Sequence, residues 1–126
     1  MSMLSMISVV DDDELVREAT DNLLSSEGYL VHTFASAEEF PQSPQLHDCA
    51  CVVADVQMTG MSGVELLNHM RAQGHSTPFV FITAFPEDRV RDQARKAGAI
   101  GFLAKPFTVP DLIKHVEAAI GGGDAG

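Results

Sequence analysis

The stretch that decides the fold is residues 49–63, which read CACVVADVQMTGMSG. A valine-rich apolar run ends there on one carboxylate, Asp55, and a glycine-containing loop and a helix start follow it. Apolar runs of this length are typical of a strand that is buried on both faces of a parallel sheet. An acid at the end of such a strand lies at the carboxyl edge of the sheet, where open α/β folds place their sites. We therefore interpret Asp55 as the reactive centre.

Length and charge restrict the classes of protein that the chain can belong to. Its 126 residues are enough for one domain with a real core but are short for two. The net charge of −10 argues against binding nucleic acid through this chain. No apolar stretch approaches the roughly 20 residues needed to cross a membrane. Residues 1–6 also lack the basic segment of a signal peptide, so we expect a cytoplasmic domain that binds no membrane.

Five strands are predicted to alternate with five helices. The strands are expected at residues 5–10, 29–34, 49–55, 78–83 and 99–104. The helices are expected from the acid run 11–14 to Gly28, from Ser36 to the prolines at 41 and 44, from Ser62 to Gly74, from Pro86 to Gly98, and from Thr108 onward. Asp11 with Glu14, and Ser62 with Glu65, have the spacing of capping boxes. Residues 121–126 are glycine-rich and predict a flexible tail or the start of a linker, which leaves the domain at residues 1–120.

Alternation of this kind predicts an α/β fold with a parallel sheet and helices on both faces. Four of the strands end in polar groups, and all four ends lie at the same edge of such a sheet. The groups are those of Asp11 and Asp12, Asp55, Thr83 and Lys105. The sequence therefore assembles three carboxylates, a hydroxyl and an ammonium in one place.

The chemistry of such a cluster follows from its charges. Two carboxylates about 5 Å apart repel each other by about 3 kcal/mol at an effective dielectric constant of 20. Three of them either raise one pKa or recruit a cation, and oxygen ligands suit a hard ion such as Mg²⁺. Together with Lys105 and Thr83, that ion could hold a phosphoryl group in transfer. Since a carboxylate can be the nucleophile, the cluster favours phosphoryl transfer onto Asp55.

Plainer explanations exist for each feature alone. The acid run could be a solvated helix N-terminus, Asp55 a helix cap, and Lys105 a surface lysine in a turn. Two other site classes fit less well. A flavodoxin-like cofactor binder needs a phosphate loop after the first strand, where three aspartates would repel phosphate. A phosphatase of the haloacid dehalogenase type would want a second acid two residues after Asp55, where Gln57 stands.

Four segments of the chain resemble the receiver domain of two-component response regulators. They are residues 9–13 (VVDDD), 53–63 (VADVQMTGMSG), 81–84 (FITA) and 102–107 (FLAKPF), in the family's order and spacing. Residues 31–40 (VHTFASAEEF) further resemble the FixJ-like group of transcriptional regulators. The resemblance implies a single flavodoxin-like (βα)5 domain with the strand order 2-1-3-4-5.

The same resemblance implies roles for the residues of the cluster. Asp55 would take a phosphoryl group from a phosphohistidine on a sensor histidine kinase. Mg²⁺, or Mn²⁺ in its place, would be bound by Asp12, Asp55 and the backbone carbonyl of Gln57, with Asp11 assisting through water. The phosphoryl group would be held by Lys105, Thr83 and Ala84, and Thr83 and Phe102 would act as the switch. A cis peptide bond is implied between Lys105 and Pro106, in keeping with the low cost of that form before proline.

The expected output of the switch is a change in the face formed by the fourth helix, the fifth strand and the fifth helix. A phosphorylation-dependent homodimer or a docked domain is predicted there, on the basic cluster of Arg89, Arg91, Arg95 and Lys96; the alternative is that these are solvated helix charges. The domain would then be a phosphoacceptor in signalling and not an enzyme, catalysing only its own phosphorylation and slow dephosphorylation. We expect it to control a C-terminal DNA-binding domain absent from these residues, or alternatively to signal alone through protein contacts.

Three positions depart from the family pattern. Thr59 stands where the family usually has proline, so the loop after Asp55 is expected to be less rigid. Phe85 and Gln57 stand two residues after Thr83 and Asp55, at positions that tune the access of hydrolytic water in this family. Phe85 cannot orient water, whereas Gln57 can. We predict that the phosphorylated form is relatively long-lived.

Overall fold

A single five-stranded sheet forms the centre of the molecule. The computed structural model describes residues 5–43 and 49–122. The strands are β1 (Met6–Val10), β2 (Leu30–Phe34), β3 (Cys49–Asp55), β4 (Phe79–Thr83) and β5 (Gly101–Ala104). They pair in the order β2-β1-β3-β4-β5, and every pair is parallel. The predicted flavodoxin-like fold class and strand order are confirmed.

Helices cover both faces of the sheet and divide the core into two parts. The helices are α1 (Glu14–Ser26), α2 (Gly63–Ala72), α3 (Asp88–Ala97) and α4 (Val109–Gly122). On one face, Leu24 of α1 and Leu112 and Val116 of α4 pack against the sheet. On the other face, Leu66 of α2 and Ala94 of α3 are buried. No helix of the described residues is long and apolar enough to cross a membrane.

The prediction of a full second helix was wrong. Within the described residues, a turn follows Ser36 and leads into a single turn of 3₁₀ helix, Phe40–Gln42. Pro41 lies at the start of this turn, and a proline has no N–H with which to continue a hydrogen-bonded helix. Phe40 is fully buried and meets the Phe34 ring edge-on at 5.4 Å, so one aromatic side chain covers this part of the sheet. Residues 44–48, which include the second predicted proline, lie outside the described residues.

One of the two predicted capping boxes was wrong and the other is confirmed. The N-cap of α1 is Asp13, whose carboxylate accepts hydrogen bonds from the N–H groups of Leu15 and Val16. Because Asp13 caps the helix, the Asp11 carboxylate can interact with other groups at the carboxyl edge of the sheet. At α2, Ser62 and Glu65 form the reciprocal pair of hydrogen bonds of a capping box.

The C-terminal end of α4 overlaps the predicted tail. The helix runs to Gly122 and so includes the first two residues of the segment 121–126. Residues 123–126 lie outside the described part of the chain. The domain boundary at residue 120 stays a prediction.

Candidate functional site

Three carboxylates meet where β1 and β3 end side by side. Asp11 and Asp12 directly follow β1, and Asp55 is the last residue of β3. One carboxylate oxygen from each residue lies within 4.8 Å of those of the other two. Asp11 and Asp55 are buried, whereas Asp12 is exposed. The sequence prediction that strand ends bring these three acids together agrees with this geometry.

Lys105 places its ammonium between two of these acids. Its Nζ donates to Asp55 Oδ2 at 2.8 Å and to Asp11 Oδ2 at 3.2 Å. The backbone N–H of Lys105 donates to the carbonyl of Thr83 at 2.7 Å, which holds the residue against the end of β4. The peptide bond between Lys105 and Pro106 is cis. The ammonium therefore bridges carboxylates that come from β1 and β3.

Burial and charge act in opposite directions on the pKa values of this cluster. Burial raises the pKa of Asp11 above its usual value; the Asp13 N–H lowers it, the negative charge of Asp55 raises it, and Lys105 lowers it, with a net rise. Burial alone would lower the pKa of Lys105. The hydrogen bond and the charge of Asp55, followed by those of Asp11, outweigh that effect and raise it. Lys105 is therefore a stable cation in the site.

The second oxygen of Asp55 also has a partner, because Oδ1 accepts a hydrogen bond from the N–H of Gln57 at 2.9 Å.

The chain then returns to Asp55 at the start of α2. Gly63 donates its N–H to the carbonyl of Val56 at 2.9 Å, and a Cβ at this position would lie 2.5 Å from the carbonyl oxygen of Asp55. Glycine is thus required at position 63 by close backbone contact.

Sequence reasoning missed two hydrogen bonds of the loop after Asp55. Asp12 Oδ2 accepts from the N–H of Thr59, and Glu38 Oε2 accepts from the N–H of Met61, both at 3.0 Å. Their donors are backbone amides far along the chain, so no motif spacing could have revealed them.

Thr83 and its two following residues lie at the neighbouring strand end. Ile82 is the partner of Asp55 in the pairing of β3 with β4, so Thr83 comes one residue beyond the level of Asp55. The Thr83 side chain is fully buried, and its Oγ1 accepts a hydrogen bond from the Phe85 N–H at 3.0 Å. Ala84 is exposed, and Phe85 keeps 62% of its surface exposed.

Three residues of the predicted basic cluster line two different depressions beside α3. Arg91 and Arg95 of α3 line a depression together with Phe102 and His115. The Arg91 guanidinium lies over the half-buried Phe102 ring, 5.3 Å from its centroid. Lys96 instead lines the groove between α2 and α3.

Comparison with known proteins identifies the family. The sequence matches the family model "Response regulator receiver domain" over residues 7–117, which is most of the chain. The chain belongs to the response regulator receiver family. Receiver domains are phosphoacceptors in signalling rather than enzymes, and membership implies a cognate histidine kinase. The acidic triad is consistent with the metal site that is typical of receivers.

The relatives of this receiver include the predicted FixJ-like group. The transcriptional regulatory protein FixJ of Bradyrhizobium diazoefficiens is 37% identical over 120 residues, which are 95% of this chain and 58% of the relative. The response regulator protein TodT of Pseudomonas putida is 34% identical over 116 residues, 92% of this chain and 51% of the relative. The receiver thus spans about half the length of these curated relatives.

Solved structures support the same assignment. The response regulator StyR superposes with a TM-score of 0.88 at 39% identity, covering 97% of this chain and 62% of that chain. The FixJ-N structure gives a TM-score of 0.87 at 31% identity, covering 95% of this chain and 96% of that chain. The resemblance to receivers stated from the sequence is confirmed.

The ion pairs of Lys105 predict a loss of stability when the ammonium is removed. Lys105→Met leaves Asp11 and Asp55 side by side without their counter-charge. We expect the free energy of unfolding in chelator to fall by about 1 to 3 kcal/mol, below the range for a fully buried pair because Lys105 is partly exposed. Urea unfolding measures this free energy, and Lys114→Met, at an exposed lysine, is the matched control. Equal stabilities of the two variants would contradict the prediction.

Proposed function

We propose that Asp55 is the phosphoacceptor of this receiver and that a sensor histidine kinase is the donor. The observation that carries the proposal is the contact of 2.8 Å between Lys105 Nζ and Asp55 Oδ2, in a cluster where Asp11 is the other acid bound to the ammonium. Asp55 follows a fully buried stretch of β3, and this rigid strand fixes its position. Asp11 is the poorer candidate because its side chain is completely buried and its pKa is raised.

The transfer needs one bond to form and one to break. An oxygen of Asp55 bonds to phosphorus as the bond from phosphorus to the imidazole nitrogen of the kinase breaks, and that nitrogen keeps the electron pair. The ammonium of Lys105 then exchanges its contact with the free carboxylate for contact with a phosphoryl oxygen. Thr83 and Ala84 contribute a hydroxyl and a backbone N–H to the same group.

The acidic cluster fits a divalent cation, with Mg²⁺ as the proposed occupant and Mn²⁺ as a substitute. Three carboxylates within 4.8 Å supply the hard oxygen donors that such ions prefer. Asp12, Asp55 and the backbone carbonyl of Gln57 would hold the ion, and Asp11 would act through water. When bound, the ion supplies positive charge that offsets the negative charge of the phosphoryl oxygens.

Phosphorylation by a small donor tests the assignment of Asp55. With acetyl phosphate and Mg²⁺, we expect the intact mass of the wild type to rise by one phosphoryl group, and that of Asp55→Asn to stay unchanged. Asp13→Asn is the matched control, since Asp13 caps α1 and lies outside the acidic triad. Phosphorylation of Asp55→Asn to the wild-type extent would overturn the assignment.

The proposed switch starts at the Thr83 hydroxyl. Its oxygen now accepts a hydrogen bond from the Phe85 N–H, and a turn of the side chain toward the phosphoryl group would weaken that bond. Phe102, which is half-buried, follows into the vacated space, and Arg91 loses the ring that it covers. Phosphorylation adds nearly two negative charges at about pH 7, so it shifts the population between two conformers of this region.

The face affected is that of α3, β5 and α4, which correspond to the fourth helix, fifth strand and fifth helix expected from the sequence. We propose that it forms a phosphorylation-dependent homodimer around Arg91, Arg95 and Phe102. The shared depression of these residues with His115 supports this surface.

A charge reversal tests the dimer face. Arg91→Glu is expected to weaken the phosphorylation-dependent dimer about tenfold, which corresponds to about 1.4 kcal/mol. Lys96→Glu makes the same charge change on the same helix but in the groove toward α2, and it should associate like the wild type. Sedimentation with and without acetyl phosphate gives the dissociation constants. A dimer of unchanged strength in Arg91→Glu would remove the proposal.

Phe85 and Gln57 are proposed to set the lifetime of the phosphorylated form. The exposed Phe85 ring shields the acyl phosphate from water, whereas the exposed Gln57 amide can orient a water molecule for attack. We expect Phe85→Ala to lose its phosphoryl group faster than the wild type and Gln57→Ala to lose it more slowly, measured by intact mass after acetyl phosphate is removed. Ile100→Ala, an exposed apolar residue beyond the opposite end of β5, is the control. No acceleration in Phe85→Ala would count against shielding.

The output of the domain is proposed from its relatives. FixJ is named a transcriptional regulatory protein, and this chain matches 58% of its length. We propose that the receiver controls a C-terminal DNA-binding domain in the cytoplasm. Signalling by the receiver alone through protein contacts is the second candidate, favoured by the ready-made surface of Arg91 and Phe102.

A further inference from the structure

The loop after Asp55 is attached to acids from two other parts of the sheet. The Thr59 N–H donates to Asp12, 47 residues earlier in the chain, and the Met61 N–H donates to Glu38, 23 residues earlier. The two hydrogen bonds have the same length, 3.0 Å, and the same kind of donor. Their acceptors differ in the property that matters for metal binding, because Asp12 belongs to the acidic triad and Glu38 does not.

Asp12 is the acid of the triad that most needs to be held in place. Its side chain is exposed, whereas Asp11 and Asp55 are buried and bound to Lys105. Among the described residues, the hydrogen bond found for its carboxylate comes from the Thr59 N–H. A carboxylate has two oxygens with about four acceptor sites, so that one amide leaves room for a cation.

We propose that the backbone N–H of Thr59 is a positioning group that orients Asp12 toward the divalent cation. This inference rests on the proposed magnesium site. The physical reason is that an exposed aspartate must lose side-chain freedom when it binds an ion, and an existing hydrogen bond reduces that loss. Partners of this kind typically change metal affinity by about 10- to 100-fold. Competition between the amide and the ion for Asp12 would give the opposite sign.

Thr59→Pro removes the donor, and it also fixes φ and replaces the threonine side chain. Proline has no backbone N–H. Among the described residues only glycines have a positive φ, so φ at position 59 is negative, as proline requires. Thr59→Ala keeps the N–H and removes the side chain. Glu38→Ala removes the other attachment of the same loop without touching a residue of the triad.

Calorimetric titration of the unphosphorylated proteins with MgCl₂ tests the inference. We expect the dissociation constant of Thr59→Pro to rise about tenfold, the lower end of the range for such partners. Thr59→Ala and Glu38→Ala should remain close to the wild type. An unchanged or tighter constant in Thr59→Pro, or an equal rise in Glu38→Ala, would overturn the positioning role. A wild type that binds no Mg²⁺ would instead overturn the proposed cofactor, and this inference with it.

Hydrogen exchange of the wild type gives a second measurement that depends on no variant. Coupling between two equilibria is reciprocal, so Mg²⁺ must stabilise the bond between Thr59 and Asp12 by the same factor of about ten. Exchange of the Thr59 amide should slow accordingly when Mg²⁺ replaces chelator. The Met61 amide, bound to Glu38, is the internal control and should keep its rate. A Thr59 amide that does not respond to Mg²⁺ would contradict the proposal.

Discussion

The ammonium of Lys105 between Asp55 and Asp11 is the interaction on which the site depends. The sheet order places β4 between β3 and β5, so a residue that follows β5 must reach across a strand end to touch Asp55. Lysine suits this task because its charge is carried on a flexible four-carbon stem. The Lys105 N–H anchors the base of that stem on the carbonyl of Thr83. A long side chain with a fixed base thus delivers one charge to two strands at once.

Holding like charges close together lowers the stability of the folded protein, and the function of the site requires it. Asp11 is fully buried with a raised pKa, which means that its environment opposes the ionised form. The same arrangement gives Lys105 two acidic partners, so a charge added at either of them would compete for its ammonium. A cluster of well-packed apolar residues would give a more stable protein but could not register a phosphoryl group.

Much of the site could be predicted from the sequence because strand ends carry positional information. In a parallel sheet the carboxyl ends share one edge, so Asp55 and Lys105 could be placed together without knowing any contact. Hydrogen bonds from backbone amides have no such signal, which is why the attachments of Thr59 and Met61 were missed. Asp13 caps α1 in place of Asp11 because the helix begins only at Glu14, directly after Asp13.

The close approach of Gly63 to the backbone of Asp55 has a consequence for the packing around this acid. Helix α2 begins against the backbone of β3 with no side chain between them. The packing on that side of Asp55 is therefore tight. Toward β5, by contrast, Ala84 is exposed and Phe102 is half-buried, so the packing there is looser. The surroundings of Asp55 are therefore anisotropic, closely packed toward α2 and more open toward β5.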